Sequence, residues 1–145
     1  MTIGGDAPRL LGPDDRERLL VGGELNAALA RAMVRFYHDE MGRGPAQARA
    51  FYRDDVVVVL LEDTLTKPEQ ALKSRGREDA VLDLREMLQR AMRDEIVAIV
   101  EGLTGRTVRA FLSSNHLDPD LLVQCFVLDR RLAGGVQDSA TRALE

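Results

Sequence analysis

The feature of this sequence that most constrains its fold is an unbroken apolar run, Val56 to Leu61. Its valines and leucines show no polar alternation, which is typical of a β-strand that is covered on both faces. The run is also far shorter than the roughly 20 apolar residues that a membrane-spanning helix needs. The run therefore predicts a central strand in a layered domain, and no direct insertion of the chain into a membrane.

The segment before this strand has the periodicity of a helix. Between Glu24 and Met41, apolar residues recur at steps of three and four, which predicts an amphipathic helix. Gly42 follows this helix and can adopt the left-handed conformation that closes a helix. Because proline at the first helical position loses no hydrogen bond, Gly44-Pro45 is expected to open a second, short helix. The segment MGRGPAQAR is thus interpreted as a joint between two helices.

Two more helices are predicted after the strand. Thr66 and Glu69 have the spacing of a capping box, in which each residue's side chain bonds the other's backbone amide. The short helix that begins there would carry Glu69 and Lys73 as a surface ion pair, four residues apart. The next helix is predicted to be the longest, because apolar residues keep the helical spacing from Val81 to Leu103. Gly105 is expected to end it.

The C-terminal third has the pattern of two strands. In the first, Thr107 to Ser113, the residues Val108, Ala110 and Leu112 alternate with Arg109, Phe111 and Ser113, so one face should be better buried. The second is Leu121 to Leu128, and the intervening SNHLDPD has the composition of a turn, which predicts a hairpin. The expected fold is α+β: a long N-terminal helix, a three-stranded sheet with a C-terminal β-hairpin, and two helices between the first and second strands.

These elements divide the chain into three parts. Residues 1–23, rich in glycine and proline, are interpreted as a mobile leader. Residues 24–129 are expected to form a single α+β domain, and residues 130–145 a tail. No internal repeat is visible.

The apolar strand raises a question about its neighbours. If the two hairpin strands pair with each other, Val56 to Leu61 becomes an edge of the three-stranded sheet, where an exposed apolar strand invites aggregation. Either the strand lies between the two hairpin strands, or a second subunit covers it. The second arrangement is favoured here, because symmetric dimers are common, and a homodimer is expected.

Composition excludes several classes of function. The net charge of −4 argues against general DNA or RNA binding, which needs a basic excess, so no nucleic-acid partner is expected. The single Cys125 cannot form an internal disulfide, and the N-terminus lacks the features of a signal peptide, so a cytoplasmic location is expected. Sequence motifs for phosphate loops, dinucleotides, nucleophile elbows and paired-cysteine zinc sites are absent, and no cofactor is expected.

Several segments in series resemble a bacterial family. They are GELNAALARAMVRFYHDEMGRGP, VVVVLLEDTLTKPEQAL, LTGRTVRAFLSSNHLDPD and FVL, which together span about Gly23 to Asp129. They look like the domain named MpsC-like, after a sodium-translocating system that generates a membrane potential. The resemblance implies an accessory protein with a link to ion or bicarbonate uptake, through a protein partner in a membrane transport system. It implies no catalytic residues.

A local excess of arginine marks the candidate binding site. Residues 31–53 contain five arginines and two acids, which gives +3, while the remainder of the chain is −7. Spacing places Arg31, Arg35 and His38 on one helical face, and Arg43 just before the expected helix at Pro45, whose free amides would favour an anion. The alternative is an ordinary solvated face with Arg43 on helix-end carbonyls. The candidate anion- or partner-binding residues are Arg31, Arg35, His38, Arg43, Gly44, Arg49 and Arg53.

A second group of polar residues surrounds the expected hairpin turn. His116, Asp118 and Asp120 include metal-ligating types, but DPD is more simply a turn, and no metal site is expected. The favoured function is a non-catalytic accessory or regulatory domain that binds a partner protein or a small anion. The alternative is a small enzyme or an anion-sensing receptor that uses His38, His116 and Asp118, which would require these side chains to meet in a cleft.

Overall fold

The computed structural model of the protein describes residues 20–134. Its elements are α1 (Gly22–Met41), β1 (Gln47–Arg53), β2 (Val56–Glu62), α2 (Lys67–Ser74), α3 (Glu78–Thr104), β3 (Val108–Leu117) and β4 (Asp120–Leu128). The predicted α+β class is confirmed. Most of the expected leader (1–23) and tail (130–145) lies outside the described residues, although α1 begins already at Gly22 and Leu132 packs against the core.

The sheet has four strands rather than the predicted three, because residues 47–53 form β1 where a short helix was expected. Ala48, Ala50 and Tyr52 are more buried than their neighbours along β1, which is the alternation of a strand with one face on the core. This pattern, together with the β-forming Phe51 and Tyr52, outweighs the preference of Pro45 for a helix start. The prediction of a helix at Pro45 is therefore wrong.

The order of the strands is β1-β2-β4-β3, and all neighbouring pairs are antiparallel. The apolar run in β2 lies inside the sheet, between β1 and β4 rather than at an edge or between the hairpin strands. Because β1 covers β2, no second subunit is needed for this purpose, and the reason given for a homodimer no longer holds. The homodimer itself stays a prediction.

The predicted C-terminal hairpin forms, with two differences. β3 continues to Leu117, so most of SNHLDPD is strand, and the turn consists of Asp118 and Pro119, joined by a cis peptide bond. The register shifts between Val108 and Ala110, as in a β-bulge. Phe111 therefore packs against the core and stacks on Phe126, with ring centroids 4.7 Å apart, while Leu112 is 59% exposed.

The predicted helix ends are confirmed where local chemistry specifies them. Gly42 and Gly105 both adopt the left-handed conformation, with φ of 71° and 67°. At the start of α2, the Thr66 hydroxyl accepts from the Glu69 amide and the Glu69 carboxylate accepts from the Thr66 amide. These caps supply partners for backbone groups that helix ends leave unsatisfied.

A single main core lies between the sheet and the two long helices. It contains Leu25, Leu29, Met33 and Tyr37 of α1, Met92, Ile96 and Val100 of α3, Tyr52 of β1, Val57, Val59 and Leu61 of β2, and Leu122, Phe126 and Leu128 of β4. Side chains alternate along a strand, so these sheet residues all lie on one face. The opposite face, called the outer face and centred on Val58, Leu60, Val123 and Cys125, has no helix packed on it among residues 20–134.

Candidate functional site

One side of α1 and the edge strand β1 form an open groove of about 450 Å³, called the α1–β1 groove. Its lining residues are Ala30, Arg31, Val34, Arg35, His38 and Ala48. The predicted spacing holds, since Arg31, Arg35 and His38 share one face of α1 and are all exposed. Ala30, Val34 and Ala48 are half-buried, so the groove has an apolar floor and a cationic rim.

Gly44 lies beside the groove and allows the chain after α1 to pass close to the helix. A Cβ atom at this position would lie 3.3 Å from the Val34 carbonyl oxygen and 3.4 Å from the His38 Cβ. The first distance is shorter than most van der Waals contacts of a Cβ atom and the second is at their lower limit, so a larger residue would require the chain or α1 to shift by a few tenths of an ångström. Gly44 therefore helps to set the shape of the groove without offering a side chain to a ligand.

The two arginines of the groove differ from most of the others in the candidate set. Within the described part of the chain, neither Arg31 nor Arg35 has a hydrogen bond or an ion pair. His38 lies 3.7 Å from Asp39, and both side chains are more than two-thirds exposed. The groove thus presents two guanidinium groups whose donors are available to a ligand.

Arg43, Arg49 and Arg53 do not line the groove. Arg43 donates to Asp63 Oδ2 at 2.7 Å and to the Leu65 carbonyl oxygen. Arg49 and Arg53 lie on the outer face of β1, where Arg49 is 3.2 Å from Glu62 and Arg53 is 3.8 Å from Asp54. The seven candidate residues thus divide between the groove, a loop contact and the outer face.

The structure lacks the helix N-terminus at Pro45 on which the prediction of a small-anion site depended. That prediction required the free amides and the dipole of a helix N-terminus. The chain instead continues into β1, and the Ala46 amide donates to the Glu62 carbonyl oxygen at 3.0 Å. The nearby helix end is the C-terminus of α1 at Met41, whose dipole favours cations rather than anions.

The residues of the enzyme alternative do not meet in one cleft. His38 lies next to β1, whereas His116 lies in β3, and these strands are the two edges of the sheet, about 14 Å apart at the usual strand spacing. His116 Nδ1 lies 2.7 Å from the Pro119 carbonyl oxygen, and the 88% exposed Asp118 lies 4.0 Å from Lys73. The arrangement that this alternative needs is absent from residues 20–134.

The most polar buried site is one that the sequence analysis missed. Arg85 of α3 is 5% exposed, and Glu69 of α2 is 1% exposed. Arg85 binds the Glu69 carboxylate through Nε at 2.6 Å and through Nη2 at 2.8 Å, and it also donates to the Thr64 hydroxyl and carbonyl oxygens. The predicted surface pair between Glu69 and Lys73 is therefore wrong, because Glu69 faces α3.

This ion pair is part of a network that fixes the loop between β2 and α2. Asp120 accepts from the Thr64 hydroxyl at 2.9 Å and from the Leu65 amide at 2.8 Å. Burial raises the pKa of Glu69, but hydrogen bonds from Arg85 and Thr66 and the charge of Arg85 outweigh burial, so the pKa lies below its usual value. Since Asp120 is occupied by this loop, it is not available as a metal ligand.

A second buried polar contact joins α1 to the sheet. Gln124, which is fully buried in β4, donates from Nε2 to the hydroxyl of Tyr37 at 2.9 Å. Burial raises the pKa of Tyr37 to about 12, although the charge of Arg85 and the hydrogen bond from Gln124 act in the opposite direction. Tyr37 is therefore neutral at physiological pH and stabilises the packing of α1.

Among the described residues, no group of three or more His, Cys, Asp or Glu side chains is placed to hold a metal ion. None of the helices in residues 20–134 combines the length and the apolar character that crossing a membrane requires.

Comparison with known proteins identifies the family. Residues 22–130 match the family described as MpsC, Na+-translocating membrane potential-generating system. The match covers well over half of the chain, so the chain belongs to this family, as the sequence resemblance predicted. No curated protein and no solved structure matches the chain.

Proposed function

We propose that this member of the MpsC family is a non-catalytic accessory domain that binds an acidic, extended segment of a partner protein in the α1–β1 groove. The observation that supports this function is the pair formed by Arg31 and Arg35. Both line the groove, and neither has an intramolecular carboxylate among residues 20–134. The description of the family places it with a membrane potential-generating system, and we propose a component of such a system as the partner.

The positive charge of the groove could bind either a small anion or an acidic peptide. The shape of the groove distinguishes these two ligands. The groove is open and elongated along α1, from Arg31 through Arg35 to His38, which spans about two helical turns. Its floor is apolar, formed by Ala30, Val34 and Ala48. A phosphate or bicarbonate ion would use none of the apolar floor, whereas an extended peptide would cover this floor while its acidic side chains meet the rim.

The backbone of β1 offers a further means of recognition. β1 is an edge strand, and half of the N–H and C=O groups of an antiparallel edge strand point away from its neighbour. An extended peptide can pair with such an edge and place every second side chain on the same face as α1. Acidic residues at those positions would meet Arg31 and Arg35.

A peptide-binding measurement tests the proposal. The probe is a fluorescein-labelled peptide of alternating valine and aspartate, and the readout is fluorescence anisotropy with the full chain. The double variant Arg31→Gln/Arg35→Gln should weaken binding by about tenfold, since two charge pairs of about 0.7 kcal/mol each are lost. The matched control is Arg49→Gln, because Arg49 is two-thirds exposed but lies on the outer face.

The outcomes of this measurement are distinct. Equal affinity of the wild type and the double variant for the peptide would reject the groove as the binding site. Inorganic phosphate and bicarbonate serve as competitors at constant ionic strength. Displacement of the peptide by either ion, at concentrations at which chloride has no effect, would show that the groove binds a small anion rather than a peptide.

A further inference from the structure

The outer face of the sheet is largely apolar at its centre. Strand register places its side chains in rows. The two central rows are Phe51, Val58, Cys125 and Leu112, and then Arg49, Leu60, Val123 and Ser114. The row on one side of them is Arg53, Val56, Val127 and Ala110, and the row on the other side is Gln47, Glu62, Leu121 and His116. Most of these sixteen positions are apolar, although all helices of residues 20–134 pack on the other face.

This face differs from an ordinary solvated sheet surface. A one-sided antiparallel sheet normally carries polar residues on its open face. Here Phe51 and Leu112 are 54% and 59% exposed, and Val123 between them is 37% exposed. Four strands of about seven residues give a face on the order of 400 Å² in projection, and its apolar part is comparable with the largest apolar patches of soluble monomers, which are often functional.

The positions of the exposed side chains identify an occupant. Phe51 and Leu112, the most exposed apolar side chains of this face, end the same row at opposite edges of the sheet. Arg49 and Arg53 lie on the β1 edge, each with a carboxylate 3.2 or 3.8 Å away, whereas the β3 edge carries no Lys, Arg, Asp or Glu on this face. Such a face fits a copy of itself when the β1 edge of one copy lies on the β3 edge of the other, because each Phe51 then meets the partner's Leu112.

Two copies of the sheet can face each other, with their strands aligned, about a two-fold axis in two ways: the axis lies either along or across the strands. With the axis along the strands, β1 lies over the partner's β3, so that Phe51 meets the partner's Leu112 and Arg49 meets the partner's Ser114. With the axis across the strands, β1 lies over its own copy and brings four arginines together, although Glu62 and Asp54 offset part of their repulsion. The first arrangement stacks the apolar row of Phe51, Val58, Cys125 and Leu112 on its own copy without opposing the arginines.

We propose that two copies of this chain form a β-sandwich through their outer faces, with the two-fold axis along the strands. Sheets pack face to face at about 10 Å, with strands within about 30° of each other. Val58 and Leu60 fill the centre against the central strands of the second copy. The α1–β1 groove lies on the helical side of the sheet, so each copy keeps its groove, and the dimer does not depend on the proposed peptide site.

The first experiment measures mass and thiol access for the full chain. Light scattering after size exclusion at about 100 μM should give twice the chain mass of 16.1 kDa. Leu112→Asp places a charge in the apolar contact and should weaken the dimer at least a hundredfold. Cys125 is the only cysteine and lies near the centre of the face, so its alkylation should be slow in the dimer and faster on dilution.

Matched variants separate the interface from general effects. Met87 is as exposed as Leu112, at 59%, but lies on α3, so Met87→Asp should stay dimeric. Circular dichroism of Leu112→Asp establishes that the variant is folded. Ser114→Asp tests the axis: opposite the partner's Arg49 it should tighten the dimer about fivefold, whereas an axis across the strands predicts weaker association.

Three results would overturn the proposal. A wild-type monomer at 100 μM with freely reactive Cys125 would mean that the face is open in solution. A monomer with protected Cys125 would mean that residues outside 20–134 of the same chain cover the face. A dimer that survives Leu112→Asp but not Met87→Asp would place the contact on α3.

Discussion

Two regions of the molecule use arginine in opposite ways. On α3, Arg85 is buried, and its guanidinium group is bonded to Glu69 and Thr64. On α1, Arg31 and Arg35 are exposed at the rim of a groove, with no carboxylate partner among residues 20–134. Both sets lie on amphipathic helices that pack on the same face of one sheet.

The difference shows which arginines a fold uses for itself. A buried charge is tolerated only when its partners are fixed, and the guanidinium group of Arg85 is held by Glu69 and Thr64. An exposed arginine costs little to leave unpaired and can exchange water for a ligand. The comparison therefore predicts that loss of Arg85 affects stability, whereas loss of Arg31 and Arg35 affects binding.

The largest expected effect is that of Arg85→Met. Removal of the guanidinium leaves the Glu69 carboxylate buried without its charge partner, which typically costs about 3–5 kcal/mol of unfolding free energy. Urea denaturation followed by circular dichroism measures this loss. The double variant Arg85→Met/Glu69→Leu should recover only part of it, because Glu69→Leu also removes the acceptor of the Thr66 amide, and a double variant as unstable as the single one would contradict the assignment.

Acid should weaken the same network. The folded-state pKa of Glu69 lies below its ordinary value, so the stabilisation from its carboxylate is fully present above pH 4.5 and is lost as pH falls through the folded pKa. Unfolding free energies between pH 6 and pH 3 should therefore fall more steeply for the wild type than for Arg85→Met/Glu69→Leu. Parallel curves for the two proteins would show that other carboxylates dominate.

The sequence predicted the elements that local chemistry specifies. Gly42, Gly105 and the Thr66 capping box determine helix ends through neighbouring residues alone, and all three are confirmed. β1 was missed because alternating alanine and arginine is a weak strand signal, and because pairing with β2 decides the outcome. Tertiary contacts, which a single segment does not encode, override such weak local preferences.

In the candidate site too, local spacing predicted some residues correctly, whereas tertiary contacts determined the others. Helical spacing was enough to place Arg31 and Arg35 on one face of α1. For Arg49, the direction of the side chain depended on a strand that was not predicted. Arg85 did leave a signal, since it lies four residues after Val81 and seven before Met92, on the buried stripe of α3. Its partner Glu69 lies on another helix, so the pair itself was not visible.

A substitution of Thr66, at the edge of the buried network, is expected to have an intermediate effect on the unfolding free energy. Its hydroxyl lies 2.9 Å from Glu69 Oε1 and also accepts from the Glu69 amide, so it caps α2 and orients the carboxylate that binds Arg85. Thr66→Ala should reduce the unfolding free energy by about 1 kcal/mol, the usual cost of a lost N-cap. Thr66→Ser keeps the hydroxyl and should lose less than half of that. Equal losses would assign the effect to the methyl group.

The smallest expected effect on stability is that of Arg31→Gln/Arg35→Gln. Neither side chain has an intramolecular partner among the described residues, so the unfolding free energy should change by less than about 0.5 kcal/mol. The same protein samples should nevertheless lose the acidic peptide in the anisotropy measurement. A stability loss above about 1 kcal/mol would mean that these arginines contact residues outside 20–134. They would then serve the fold as Arg85 does, and the contrast between the two helices would disappear.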